Sequence, residues 1–207
     1  MRRLPVALAL ALLLTVPLEA QTLRAGAVAA AARVTTPFSS GEPTLTGALA
    51  GGVGEVDLGV LALAGTYLQG RVTGTNNIAW DVVEGDAVLA VRPAPWVSIG
   101  FGPHARSYLT GAGTVRWVLW SARAGVALPL ATDAMRATFD LWAALAGSVD
   151  GTTPYGSARG LTGGLSVRIP RTRLWALGTY RAEHLALSGG AGVETYEEIG
   201  VGVGLAF

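Results

Sequence analysis

Val193-Glu-Thr-Tyr-Glu-Glu-Ile-Gly-Val-Gly-Val-Gly-Leu-Ala-Phe207 ends the chain, and its reading decides the fold. From Ile199 the residues alternate strictly. Ile199, Val201, Val203, Leu205 and Phe207 share one face; Glu198, Gly200, Gly202, Gly204 and Ala206 share the other. A period of two is that of a β-strand, whose successive side chains point to opposite sides of the pleat. The apolar set runs unbroken to the last residue, so this face meets an apolar medium along its whole length. The other face is nearly bare glycine, which leaves room for bulky neighbours inside a narrow barrel.

Upstream, one stretch alone is long and almost purely apolar: Leu4 to Leu18, preceded by Met1-Arg2-Arg3 and followed by Glu19-Ala20-Gln21. A basic start, an apolar run too short to span a bilayer and a small residue before the cut describe a secretory signal peptide. Cleavage after Ala20 divides the chain into a leader, 1–20, and a mature domain, 21–207. The chain of 207 residues has no cysteine, hence neither a lipid-anchored amino terminus nor a disulfide framework. All 15 basic residues are arginine. Without Arg2, Arg3 and Glu19, 13 arginines face 13 acids (15 less two, 14 less one), so the mature domain is formally neutral and carries no basic patch for nucleic acid.

Mean hydropathy is +0.45, high for a soluble protein. No window after Gln21 keeps a helical period, and 29 glycines argue against long helices. An exported, hydrophobic chain without a membrane-length helix has one common outlet, a closed barrel that satisfies every backbone group in lipid. Ten strand-like segments are expected, at 22–35, 44–53, 55–70, 80–92, 96–109, 115–128, 135–149, 158–169, 174–187 and 193–207, with eight as the rival count. Tight turns are expected around Gly54, Pro93-Ala94-Pro95, Pro129 to Ala134 and Pro170 to Arg173. Longer polar links follow the odd segments: Pro37 to Pro43, Arg71 to Asn77, Thr110 to Thr114, Asp150 to Gly156 and Ser188 to Gly192. An even count places both termini at the short-turn rim.

The last strand resembles the closing strand of bacterial outer-membrane β-barrels, whose terminal Phe and alternating hydrophobics the barrel assembly machinery recognises. The resemblance implies an all-β fold, a transmembrane antiparallel up-and-down barrel in the bacterial outer membrane, with Phe207 as assembly signal and outer-membrane lipid as its surroundings. Short turns would then face the periplasm and the longer loops the exterior. A soluble lipocalin-type barrel is the mirror reading of the same alternation; the leader, the terminal Phe and the hydropathy favour the membrane. Tyr67, Trp80, Trp96, Tyr108, Trp120, Trp175 and Phe207, near segment ends, suit interfacial girdles, although parity turns Trp96 and Trp175 inward.

Mid-strand charges fall on one face, so they line the interior. Hairpin arithmetic pairs Glu84 with His104, Arg123 with Asp140, Asp140 with Arg168, and Arg181 with Glu198. Cross-strand neighbours sit about 5 Å apart, within reach of an ion pair. The interior network is therefore expected to hold Glu84, Asp86, His104, Arg106, Arg123, Arg136, Asp140, Arg168, Arg181 and Glu198, with long arginines leaning into the space left by Gly200, Gly202 and Gly204.

Neither of two enzyme types with this architecture matches. Omptin-type proteases use an aspartate pair and an Asp–His pair, whereas Asp81 and Glu84 lie on opposite faces and His104 has no histidine neighbour. Lipid A deacylases use a His and a Ser two apart, whereas His104 and Ser107 are three apart. His184 has no partner, and Gly51-Gly-Val-Gly54 is a turn with no helix after it, not a phosphate loop. The reading is a small closed barrel without catalytic residues, metal or cofactor, its lumen plugged by the Arg/Asp/Glu network, with a structural or surface-interaction role. A narrow channel for small solutes is the alternative, and a lipid-modifying enzyme using His104 and Glu84 is third.

Overall fold

The computed structural model describes residues 22–37, 44–74, 78–131, 134–149, 155–190 and 192–207. Ten strands follow one another: β1 (Thr22–Thr35), β2 (Thr44–Leu58), β3 (Leu61–Thr73), β4 (Ala79–Ala94), β5 (Val97–Thr110), β6 (Gly113–Pro129), β7 (Met135–Val149), β8 (Tyr155–Arg168), β9 (Leu174–Leu187) and β10 (Val193–Ala206). Each pairs antiparallel with its chain neighbours, and β1 pairs with β10, closing the barrel. Closure runs from Arg24↔Ala206 to Thr35↔Thr195. The terminal Phe207 seals the seam by exchanging backbone hydrogen bonds with Leu23, at 2.8 and 3.2 Å.

The first tight turn lies well away from where the sequence reading places it. β2 continues through Gly51-Gly-Val-Gly54, and Gly54 pairs with Gly65 in mid-strand. The reversal comes at Gly59-Val60, where Gly59 adopts a φ of 81° and the Asp57 carboxylate accepts its N–H at 2.9 Å. The local cue was Asp57-Leu58-Gly59, since an aspartate caps the glycine two residues on. Gly51 instead serves strand packing: a Cβ there would lie 1.8 Å from the Tyr67 carbonyl oxygen. The β5–β6 connection is also tight, with Thr110 opposite Gly113. The expected links at 38–43, 75–77 and 150–154, and the leader, lie outside the described residues.

Both polarities of the alternating pattern occur in this barrel, in different halves. Toward the rim that holds the termini, apolar side chains point outward: Leu63, Leu89, Ile99, Phe101, Leu141, Ile199, Val201 and Val203 are all exposed. Their inward neighbours there are small or polar, such as Ser98, Gly100, Thr138, Thr162, Gly200 and Gly202. Toward the opposite rim the faces exchange character. Val34, Leu45, Val72, Trp80, Val82, Tyr108, Trp117, Leu119, Leu185 and Leu187 are buried inside, while Arg33, Arg71, Arg116, Arg159 and Glu197 point out. Strands of 13 to 17 residues are longer than the 9–11 or so that cross a bilayer, so their far ends have no lipid to face and fold like a soluble barrel. Trp80 and Tyr108 therefore belong to the interior and not to a girdle. Tyr67, Trp96, Trp120 and Phe207 remain exposed.

Three strand pairs shift register. β4 and β5 pair from Asp81 to Asp86 and again from Leu89, with Pro103, which lacks an N–H, facing the gap, and their register shifts between Val91 and Ala94. β8 and β9 shift between Tyr155 and Ser157. In β7 the register shifts so that Trp120 opposes Ala146 and Ser121 opposes Ala144. Leu145 bulges, and Ser148, inward by simple parity, turns outward.

Candidate functional site

The largest cluster of charge lies across the middle of the bore. In a closed ring of ten strands β5 stands opposite β10, and Arg106 of β5 reaches all the way over. Its Nε donates to Glu84 of β4 at 3.0 Å, its Nη2 to Glu183 of β9 at 2.5 Å, and its Nη1 to Glu194 of β10 at 3.2 Å. The guanidinium also lies 3.5 Å from the centre of the Tyr196 ring. Glu194 accepts further bonds from the Tyr108 hydroxyl at 2.7 Å and the Trp117 indole at 3.1 Å. Arg181 of β9 contacts Glu84 and donates to Glu198 at 2.8 Å, and Tyr196 donates to that same carboxylate at 2.7 Å. All of these side chains are buried. Burying charges is costly unless each is paired and hydrogen-bonded, and here the planar guanidinium forks supply that pairing to several carboxylates at once.

Of the residues expected in the network, the structure brings Glu84, His104, Arg106, Arg181 and Glu198 into one cluster and leaves the others apart. The Arg181–Glu198 pairing holds, in register and in contact. Glu84 stands opposite Arg106, and Asp86 stands opposite His104, because the turn at Pro95-Trp96 moves the register by two residues. His104 still approaches Glu84 diagonally, Nε2 to Oε1 at 3.5 Å, and lies edge-on to Trp142. Arg123 does not pair with Asp140. It faces Trp142 across the strand pair and donates to Asp86 at 2.8 Å, one layer nearer the termini. Asp140 faces Gly125 and Thr162, and no ion pair reaches it among the described residues. Arg168 is far from Asp140, at the rim, and Arg136 is likewise exposed there, with no ion pair among the described residues. Nor do arginines fill the space over the closing glycines. A Cβ on Gly200 would meet Thr179, one on Gly202 would meet Val28, and one on Gly204 would meet the Trp175 ring.

Sequence reasoning missed Glu183 and Glu194. Each shares parity with a residue it did place, Glu183 with Arg181 and Glu194 with Glu198. Their importance comes from contacts across the bore, which hairpin arithmetic does not reach.

The arrangement offers little for chemistry. Glu84, His104 and Glu183 present donor atoms within 4.8 Å of one another, the spacing of a metal site. Both carboxylates, however, already accept from Arg106, and Arg181 lies against Glu84, so two fixed cations occupy the neighbourhood a metal would need. His104 is 2% exposed, and its described contacts are with the Glu84 and Glu183 carboxylates and the Trp142 indole, while the buried Ser121 hydroxyl donates to the Gly102 carbonyl. Asp81 lies on the outer face, paired with Arg71 at 2.7 Å, and His184 also points outward, opposite Arg159 and Thr195.

Between this cluster and the rim with the termini lies a cavity of about 380 Å³. Its wall on β1 to β4 is mainly apolar, with Val28, Val53, Ala64 and Val88; its wall on β7 and β8 carries Arg136, Thr138, Asp140, Thr162 and Ser166.

No protein-family model and no curated protein matches the sequence. Among solved structures, the chain is similar to the outer membrane protease OmpT from Escherichia coli, at 11% identity and a TM-score of 0.50, over 90% of this chain and 96% of that one. It also aligns with the translocator domain of the autotransporter NalP from Neisseria meningitidis, at 16% identity and a TM-score of 0.43, over 98% and 96%. A third alignment is with Neisserial surface protein A, at 17% identity and a TM-score of 0.41, over 89% and 97%. Identity this low speaks to fold alone. The chain is a closed ten-stranded antiparallel barrel of the bacterial outer-membrane type.

Proposed function

We propose that the protein is a non-conducting outer-membrane barrel with a structural or surface-interaction role. One observation carries this: Arg106 binds carboxylates on β4, β9 and β10 and so ties opposite walls of the bore together. The layer of Trp80, Tyr108, Trp117 and Leu119 above it, buried to 5% exposure or less, supports a lumen plugged from the middle to the far rim. A ten-stranded barrel is only a little wider than the eight-stranded size that side chains can fill. The far ends of the strands support the surface role, since their outward arginines and acids form a polar collar beyond the apolar band. In this reading the leader ends near Ala20, the assembly machinery inserts the barrel through the strand ending at Phe207, and outer-membrane lipid surrounds it. The barrel is not an enzyme, because its one buried histidine faces carboxylates and no nucleophile.

Single-channel recording of refolded protein in planar bilayers tests the reading. No stable conductance is expected. Steady ohmic openings from the wild type would refute the plug and favour the narrow channel for small solutes.

A further inference from the structure

The charges at the termini-side mouth divide into two arcs. On β1, β2 and β4, Arg24 and Arg92 are neutralised by Glu55 and Asp57, with Arg24 to Glu55 at 3.5 Å and Arg92 to Glu55 at 2.5 Å. On β7, β8 and β9 the donors have no such partners. Arg136 stands opposite Ser166, and Arg168, two residues on, shares that inward face; neither makes an ion pair or side-chain hydrogen bond among the described residues. Diagonal neighbours of this kind sit roughly 7–8 Å apart, close enough for two arginine forks to meet on one group. Arg168 in turn stands opposite Trp175, whose buried Nε1 has no acceptor among the described residues. The Trp175 ring is held in place, lying over Gly26 and Gly204 where a Cβ would come within 3.0 and 2.7 Å of it. Arg136 and Trp175 line the cavity and Arg168 stands at its rim, so two cations and a packed indole N–H gather on the β7–β9 side of the mouth, donors of the kind that hold a carboxylate.

The cavity behind them fits the rest of such a molecule. It holds about 380 Å³, within the range of small-molecule sites, and opens at the mouth. Its β1–β4 wall, across the bore from these donors, is mainly apolar, with Arg24, Glu55 and Arg92 paired among themselves at the mouth, while the charged cluster closes its far end. We propose that this chamber is a binding site for an amphipathic carboxylate, a medium-chain fatty acid or an aryl acid of similar size. The acid enters tail first from the periplasmic side. Its carboxylate lies between Arg136, Arg168 and the Trp175 indole, and its apolar body lies against Val28, Val53 and Val88. A free acid and an acyl chain still attached to a lipid share this chemistry. The chamber is confined by the barrel wall and admits only the former whole.

The test uses the full mature barrel in nanodiscs of zwitterionic lipid, with indole nitrogens labelled for heteronuclear NMR. Decanoate is the probe. The alcohol of the same chain and a lysophospholipid with the same acyl chain are the comparisons. Decanoate should shift the Trp175 indole resonance saturably and leave that of Trp117, which is held by Glu194, in place. In Arg136→Gln/Arg168→Gln, whose positions are exposed at the rim, decanoate should bind roughly tenfold or more weakly, as expected when charge-assisted bonds are lost. A single Arg168→Lys change, which keeps the charge, should retain part of the affinity. Equal shifts with the alcohol would mean that the tail merely partitions, and would overturn the carboxylate site. Equal binding of the lysophospholipid would overturn the free acid as occupant. A Trp175 signal that does not move, or a double variant that binds like the wild type, would overturn the site itself. None of these outcomes depends on conductance, so the plugged lumen and this site fail separately.

Discussion

The Arg106 guanidinium on β5 lies 3.5 Å from the ring centre of Tyr196 on β10, across the diameter of the barrel. It reaches that ring because three carboxylates converge on the same fork, and Tyr196 itself donates to a fourth, Glu198. Removing the cation leaves Glu84, Glu183 and Glu194 buried without their common partner. Arg106→Ala should therefore lose about 3–5 kcal/mol, the usual cost of breaking a buried ion pair. Urea unfolding of the refolded barrel measures it, and an unchanged midpoint would show that the cluster does not hold the fold.

Asp86 and Asp140 look alike in sequence, as inward acids near Arg123, yet their removal should differ. Asp86 accepts from Arg123 at 2.8 Å, while Asp140 makes no ion pair among the described residues. Asp86→Ala should destabilise by a few kcal/mol, because it strands a largely buried arginine. Asp140→Ala should cost less than about 1 kcal/mol, as for changes that break no such feature. Parallel urea titrations decide, and an inverted order would contradict the geometry.

Glycine is needed at inward Gly102 and not at outward Gly163. A Cβ on Gly102 would lie 1.8 Å from the Ala87 carbonyl oxygen, a backbone atom, whereas one on Gly163 meets nothing within 4 Å. Gly102→Ala should lower stability by at least roughly 1–3 kcal/mol through overpacking. Gly163→Ala should be close to neutral. Heat-modifiable mobility of the two variants on gels gives a direct comparison.

The closing strand should govern insertion. Val203 is 63% exposed on the outer face, and Phe207 bonds Leu23 across the seam. Val203→Asp introduces charge on the lipid face, which costs up to roughly 2–4 kcal/mol at mid-bilayer for a basic residue and less for Asp. Both Val203→Asp and deletion of Phe207 should reduce folded protein in outer-membrane fractions; wild-type levels from both would discount the strand as the assembly signal.

Orientation can be read with single cysteines, since the chain has none. Ala112, in the β5–β6 turn, should react with an impermeant maleimide on intact cells. Thr172, in the β8–β9 turn at the rim with the termini, should react only after lysis. The reverse pattern would invert the barrel.

Much of this molecule is local, and the sequence determined that part. Period-two alternation is a property of neighbouring residues, so strand identity and the shared face of Ser98 through Tyr108 follow from the chain alone, while the closed ring decides for ten strands over eight. The Arg181–Glu198 contact also follows, because the link at Gly189-Gly190 is short and glycine fixes its reversal at φ values of 68° and 72°. Where a turn's centre lies one residue from its expected place, every cross-strand partner shifts by two, so Arg123 faces Trp142 and donates to Asp86 in place of Asp140. The contacts that fill the bore lie beyond any hairpin rule. Arg106 and Glu194 are 88 residues apart and meet only because closure sets β5 opposite β10. Alternation likewise cannot say which face is inside, since lipid-facing and water-facing barrels share one period. Closure, and strands longer than a bilayer is thick, settle it differently in the two halves: Val201 meets the apolar medium outside, and Val34, at the other end of the seam, is buried within.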